Sequence, residues 1–214
     1  MAIDFRLYLI TDRHLARIPL PEALQQALRG GVRAVQVREK DLPVRELIAL
    51  ARELRNLTWE FDARLFINDR VDVAVAVEAD GVHLGHESMP AMAVRKIVGK
   101  KMLIGVSTHS LTEAMSAEEA GADFITFGPI FATPSKMQYG APAGVEAIGT
   151  IKEHVRIPVL GLGGVRLDNI LPVMRAGADG IAMISAILAA DDIQRAAQMV
   201  NQRIAGIVKE VAGQ

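Results

Sequence analysis

Side chains able to do chemistry fall at the ends of apolar runs in this chain. Gln36-Val37-Arg38-Glu39-Lys40 closes one such run. Alternation along an extended segment sets Gln36, Arg38 and Lys40 on one face and Val37 on the other. An amide and two cations on one edge suit a polyphosphate, Arg as a bidentate fork and Lys as a point charge. The competing reading is a solvated strand end whose Glu39 pairs with a nearby helix. Asn68-Asp69 closes the next run. A carboxylate beside a polyphosphate is what Mg²⁺ requires, since that ion takes one or two carboxylates and completes its shell with phosphate oxygens and water. Asp69 has an alternative use as cap of the helix that starts at Val71.

Two later stretches add donors without much charge. Gly163-Gly164 ends the run PVLGL, and Ser185 ends GIAMIS. Paired glycines let backbone N–H groups approach an anion, and Ser185 offers a hydroxyl and an N–H. The simpler alternative is a tight turn. Between the two groups lies a long loop, GPIFATPSKMQYGAPAG, from Gly128 to Gly144, in which Thr133, Ser135 and Lys136 could close over anions. The same lysine would equally suit an ordinary loop with its charge in water. Ser107-Thr108-His109 and His83-Leu84-Gly85-His86-Glu87 complete the polar strand ends. His83 lies inside an apolar run and reads as a packed core residue, and His109 as a neighbour of a helix cap. No Ser-His-Asp arrangement, HExxH or histidine cluster is present.

The elements that must position these residues are marked by a recurring phrase. GGVRAVQVRE from Gly30, EADGVHLG from Glu78, AGADFITFG from Ala120 and AGADGIAMIS from Ala176 each set small residues ahead of an apolar strand. Such a repeat marks βα units, with a helix terminus turning the chain into a buried strand. Eight strands follow: Leu7–Thr11, Ala34–Glu39, Arg64–Asp69, Gly81–Gly85, Leu103–Thr108, Phe124–Gly128, Pro158–Gly163 and Gly180–Ser185. Helical patterns separate them. Val44, Leu47, Ile48, Ala51 and Leu54 follow Pro43, Ser110 and Glu113 form an S-x-x-E capping box, and Ser88 reads as an N-cap before Met92, Arg95 and Lys96. One helix, Ile193 to Val208, remains after the last strand. Eight units in 214 residues predict an α/β fold, a (β/α)8 TIM barrel, with residues 1–214 as a single domain. Strand ends then converge on one mouth, where the loops after the last two strands commonly form a phosphate cup.

Composition narrows the function classes. Lys plus Arg (24) nearly balances Asp plus Glu (25), so no global field recruits nucleic acid or a membrane surface, and any anion site is local. The absence of cysteine excludes disulfides, thiolate zinc sites and a Cys nucleophile. MAIDFRLYLITDR is too short and charged for a signal peptide, and the run Gly180 to Ala190 is too short for a bilayer. A soluble, cytoplasmic protein is the expectation. A homodimer is open, since small barrels often pair through helix faces, although no helix here is apolar all round.

Taken together, LYLITD (7–12), VQVREK (35–40), NDRVDVAVAVEADGVHLG (68–85), IGVSTHS (104–110), FGPIFATPSK (127–136) and GLGGV with GADGIAMISAI resemble the thiamine phosphate synthase family and its relative, the thiazole tautomerase, nearly from end to end. The resemblance implies a (β/α)8 barrel that joins a hydroxymethylpyrimidine diphosphate to a thiazole phosphate, with Mg²⁺, releasing pyrophosphate. It implies that Gln36, Arg38, Lys40, Asn68 and Lys136 hold the pyrimidine diphosphate, that Ser107 donates to the pyrophosphate, and that Asp69 ligates Mg²⁺. Thr133, Ser135, Gly164, Ile184 and Ser185 would hold the thiazole phosphate. Arg38, Lys40, Lys136 and Ser107 are the expected catalytic set. One departure stands out: where the family has Gln and then Asp after the fourth strand, this chain has His86-Glu87-Ser88, so Ser88 takes the place of a second metal carboxylate. The tautomerase-type histidine after the sixth strand is also missing, since Pro129 follows Gly128.

Overall fold

The computed structural model describes residues 3–133 and 141–212. Eight strands, β1 (Leu7–Ile10), β2 (Ala34–Val37), β3 (Arg64–Asn68), β4 (Gly81–Leu84), β5 (Leu103–Thr108), β6 (Phe124–Phe127), β7 (Val159–Gly161) and β8 (Gly180–Met183), close into a barrel in sequence order. All neighbouring pairs are parallel, and β8 returns to β1 with Leu9 opposite Met183. The connecting helices are α1 (Leu20–Arg29), α2 (Val44–Glu60), α3 (Val71–Ala76), α4 (Ala91–Val98), α5 (Leu111–Glu119), α6 (Glu146–His154) and α7 (Ile170–Arg175). After β8 come α8 (Ser185–Leu188) and α9 (Ile193–Ala212). The expected strands are all present, but most stop one or two residues early, because pairing ends where the chain leaves the barrel rim. α8 was not expected, since four residues are too few to show a helical period. The capping box at Ser110 is present: its hydroxyl accepts from Glu113 N–H at 3.2 Å, while the Glu113 carboxylate accepts from His109 N–H at 2.8 Å.

Strand alternation divides the core in two. Outward residues such as Leu9, Val35, Ile67, Val82, Ile125 and Ile181 pack under the helices. Inward residues fill the barrel itself: Phe5, Tyr8, Ile10, Ala34, Phe66, Leu103, Phe124, Leu160 and Ala182. Four of these form an aromatic box, with Tyr8 edge-on to Phe66 at 5.3 Å and Phe66 edge-on to Phe124 at 5.4 Å. Glycines on β4 and β5 make room for it. A Cβ at Gly81 would lie 2.5 Å from the Phe66 ring, and one at Gly105 would lie 2.5 Å from Phe124.

The recurring Asp has a physical role at the N-terminal end of the barrel. Asp80, ahead of β4, accepts from Leu65 N–H of β3 at 2.8 Å and pairs with Arg55 of α2 at 2.6 Å. Asp123, ahead of β6, accepts from Ile104 N–H of β5 at 2.7 Å and pairs with Arg95 of α4. Asp179, ahead of β8, accepts from Val159 N–H of β7 at 2.8 Å and pairs with Lys152 of α6 at 2.8 Å. Each carboxylate thus satisfies a strand-start donor that has no ladder partner and ties a helix to the same point.

The aromatic box sets the stability of the barrel interior. Phe124→Ala is expected to lower the unfolding free energy by about 3–5 kcal/mol, as measured by urea denaturation, because the ring is fully buried among Phe5, Tyr8 and Phe66.

Candidate active site at the C-terminal rim

At the end of β2 the pleat stops at Val37, so alternation governs only the first of the three expected anion ligands. Gln36 points into the barrel, is 2% exposed, and donates through Nε2 to the Tyr8 hydroxyl at 3.3 Å. Arg38 is half-buried and Lys40 exposed. Between them Glu39 is buried, and it does not pair with a helix as one reading had it. Its Oε1 accepts from the Thr11 hydroxyl at 2.6 Å, and its Oε2 accepts from Arg13 N–H at 3.2 Å and Arg13 Nη1 at 3.1 Å. Thr11 in turn accepts from Arg38 N–H at 2.9 Å. The loop after β1 therefore fixes the backbone that carries Arg38, a contribution that sequence reasoning missed. Among the described residues, neither Arg38 nor Lys40 has a side-chain ion pair or hydrogen bond.

Asp69 follows β3 in the left-handed region, at φ 59°. Asp tolerates that region better than most residues. Its N–H donates to the His83 carbonyl at 2.9 Å, tying it to β4. Oδ2 accepts from Asn68 Nδ2 at 2.7 Å, and Oδ1 accepts from the Ser88 hydroxyl. Asp69 does not cap α3; the residue at that position is Arg70, with no side-chain cap. Nor is Ser88 the N-cap of α4. Pro90 holds that place, and Ser88 Oγ instead accepts from Gly85 N–H at 2.6 Å. The turn curls Ser88 onto Asp69 and leaves His86 and Glu87 exposed. Asp69 and Ser88 thus form a pair of one carboxylate and one hydroxyl at the rim. Among the described residues no three His, Asp or Glu side chains cluster tightly enough to hold a metal by themselves. That donor set matches an ion that takes one carboxylate and draws its other ligands from phosphate and water.

Beneath the rim lies a buried polar layer. His83 Nδ1 is 3.3 Å from the Tyr8 hydroxyl, while Nε2 is 3.0 Å from Ser107 Oγ and 3.4 Å from Thr126 Oγ1. His83 is therefore the satisfied core residue expected of it. Burial pushes its pKa from 6.5 down to about 3; the Arg38 cation pushes the same way, and Asp69 partly opposes them. Arg38 follows β2 and Asp69 follows β3, neighbouring parallel strands, so both stand at the same end of the barrel above this layer. Burial likewise raises the Tyr8 hydroxyl well above its ordinary value, so this layer holds neutral groups.

The late strands close the rim. After β7, Gly163 and Gly164 adopt φ 93° and 66°. A Cβ at Gly163 would lie 2.6 Å from Pro129 Cα, and one at Gly164 would lie 2.8 Å from Phe131 Cβ. The glycine pair is thus required for the loop after β6 to lie against the loop after β7, where Ile130 N–H donates to Leu162 O at 2.9 Å and Phe131 N–H to Gly163 O at 3.0 Å. The far arm of that loop returns to the same place, with Ala143 N–H donating to Pro129 O at 2.8 Å. Thr133 is half-buried on the near arm; Ser135 and Lys136 lie outside the described residues. On the other side Ile184 breaks from β8 at φ −125°, ψ −89°, and the exposed Ser185 opens α8 instead of ending the strand. Because every strand is parallel, Arg38, Asp69, Ser107, Gly164 and Ser185 all stand at one end of the barrel.

The fold and this end define the class: a (β/α)8 barrel with a polar, cation-bearing mouth at the C-terminal ends of its strands. A family model described as thiamine monophosphate synthase matches residues 7–187. A putative thiamine-phosphate synthase of Geobacter sulfurreducens is 54% identical over 191 residues, spanning 89% of this chain and 90% of that one. The thiamine-phosphate synthase of Pyrococcus furiosus is 44% identical over 208 residues, 97% of each chain. Among solved structures, the thiamine phosphate pyrophosphorylase from Pyrococcus furiosus superimposes with a TM-score of 0.88 at 42% identity, covering 95% of this chain and 96% of that one. The chain belongs to the thiamine monophosphate synthase family.

The buried imidazole yields a pH expectation. Its folded pKa is depressed, so between about 6.5 and about 3 the unfolded chain binds a proton that the folded chain does not. The stability that neutral His83 contributes is complete above the upper value and is lost as pH falls toward the lower one. In the folded protein the ring C–H resonances of His83 should hold their neutral positions from about pH 7 to about pH 4.5, in a proton NMR titration.

Proposed function

We propose that this chain is a thiamine phosphate synthase: it joins a hydroxymethylpyrimidine diphosphate to a thiazole phosphate and releases pyrophosphate, with residues 1–214 acting as one barrel domain in the cytoplasm. The observation that carries the reading is the pair of cations, Arg38 and Lys40, whose side chains have no ion pair or hydrogen bond among the described residues, at the same barrel mouth as Asp69 and the glycine-lined loops. A substrate with a single phosphate would leave that cationic side without a purpose.

In this reading Gln36, Arg38, Lys40, Asn68 and Lys136 bind the diphosphate, and Ser107 donates to the leaving pyrophosphate. Thr133, Ser135, Gly164, Ile184 and Ser185 bind the thiazole phosphate. The bond between the pyrimidine methylene and the diphosphate oxygen breaks, the electron-rich ring spreads the positive charge, and the thiazole nitrogen forms the new bond. No protein nucleophile is needed. The protein aligns the two substrates and sets preorganised cations around the growing negative charge. Mg²⁺, held by Asp69 with Ser88 beside it, would neutralise charge on the diphosphate when bound.

Incubation with both substrates and Mg²⁺, with thiamine phosphate and thiazole tautomers assayed separately, tests the proposal. Thiamine phosphate is the expected product; isomerisation of the thiazole alone would assign a tautomerase, and saturable binding without turnover a sensor. Lys136→Ala should lower kcat by about 100-fold, as for loss of one preorganised donor. Ser88→Asp, which restores a second carboxylate beside Asp69, should lower the Mg²⁺ concentration needed for half-maximal rate, read from a metal titration at fixed substrate.

A further inference from the structure

The stretch Arg38-Glu39-Lys40-Asp41 alternates in charge and sums to zero, a poor composition for a segment that must receive a diphosphate. Each cation has a carboxylate next to it in the chain, and a carboxylate within a few Å of a guanidinium or ammonium competes directly with a substrate anion. The fold resolves the conflict by sorting the charges. Both carboxylates turn toward the loop after β1 and meet on one residue. Arg13 grips Asp41 with a fork, Nη1 to Oδ1 at 2.6 Å and Nη2 to Oδ2 at 2.6 Å, and reaches Glu39 Oε2 from Nη1 at 3.1 Å. His14 Nε2 lies 3.2 Å from Asp41 Oδ2. Asp12, the remaining acid of that loop, accepts from His14 N–H at 3.1 Å. The hydrogen bonds from Arg13 hold the Asp41 carboxyl well below the usual carboxylate range.

We propose that Arg13 is a positioning residue of the diphosphate subsite: by gathering Glu39 and Asp41 into one forked ion pair it withholds both carboxylates from Arg38 and Lys40, which keep their charge for the substrate. Arg13 touches neither substrate nor metal in this scheme. Its partner Asp41 is the reason it is needed, since Glu39 stays tied to Thr11 through its other oxygen. The inference rests on the diphosphate reading of Arg38 and Lys40 given above.

The test is calorimetric binding of inorganic pyrophosphate with Mg²⁺ to the wild-type chain, Arg13→Gln, Asp41→Asn and the double variant, each checked for folding by thermal melting. Arg13→Gln frees Asp41 to fall onto its neighbours and should weaken pyrophosphate binding by about tenfold. Asp41→Asn alone should bind at least as tightly as wild type. The double variant should recover most of the loss, because the competing carboxylate is gone. In turnover assays Arg13→Gln should raise KM for the pyrimidine diphosphate while leaving KM for the thiazole phosphate unchanged, a split that general loosening of the fold would not produce. Wild-type affinity in Arg13→Gln, weakened binding in Asp41→Asn, or a double variant as weak as Arg13→Gln would each overturn the inference while leaving the diphosphate reading intact. A wild-type chain that binds no pyrophosphate would remove the diphosphate reading itself, and this inference with it.

Discussion

The interior of a closed barrel must be filled by its own strands, and here Tyr8 is the side chain on which that filling turns. Its ring is one wall of the aromatic box, against Phe5, Phe66 and Phe124, while its hydroxyl reaches Gln36 and His83 in the polar layer above. Below the hydroxyl the barrel is apolar, and at and above it stand the amide of Gln36, the imidazole of His83 and the hydroxyls of Ser107 and Thr126, with Ile10 and Leu160 between them. That boundary is what lets a barrel this small combine a dry core with a polar floor. Groups of the floor are satisfied by one another, as burial demands. The rim residues above it therefore stand on a surface that is polar, neutral and closely bonded.

Above this floor charge enters at the rim, and there the backbone does much of the sorting. Asp69 is held in a left-handed conformation between a strand-to-strand hydrogen bond and the amide and hydroxyl that grip its two oxygens. Gly163 and Gly164 occupy conformations that admit the neighbouring loop's backbone at a separation no side chain would allow. One side of the mouth is built from cations and a carboxylate on the early strands. The other is built from main chain and small residues on the late ones.

Much of this was legible in the sequence. The eight strands followed from apolar runs and the recurring small-residue phrase, because each βα unit repeats the same burial problem. Polar strand ends marked the mouth, since a (β/α)8 barrel gathers them at one end. The misreadings share a cause. The nearest helix is the partner that local pattern offers Ser88, and the competing one it offers Glu39 and Asp69, whereas their partners are Gly85 and Asp69, Thr11 and Arg13, and Asn68 and Ser88, all but Asn68 contributed by a loop or a turn that no local period describes. The glycine pair after β7 likewise reads locally as a turn or an anion cradle. Its closest neighbours come from the loop after β6, more than thirty residues earlier in the chain.

The aspartates at the opposite end of the barrel carry a consequence for how the molecule is subdivided. Each one stands at the head of an even-numbered strand and serves the odd-numbered strand before it, binding β3 to β4, β5 to β6 and β7 to β8. Among the described residues no strand-head aspartate bridges β4 to β5 or β6 to β7 in this way, and the approach to β7 is met instead by Glu118 of α5, whose Oε1 accepts from Ile157 N–H at 3.0 Å. The carboxylate links thus fall on alternate seams from β3 to β8 and group these βα units in pairs. Chain breaks or grafts placed between pairs would keep both partners of every link on one segment, whereas those placed within a pair would leave them on two.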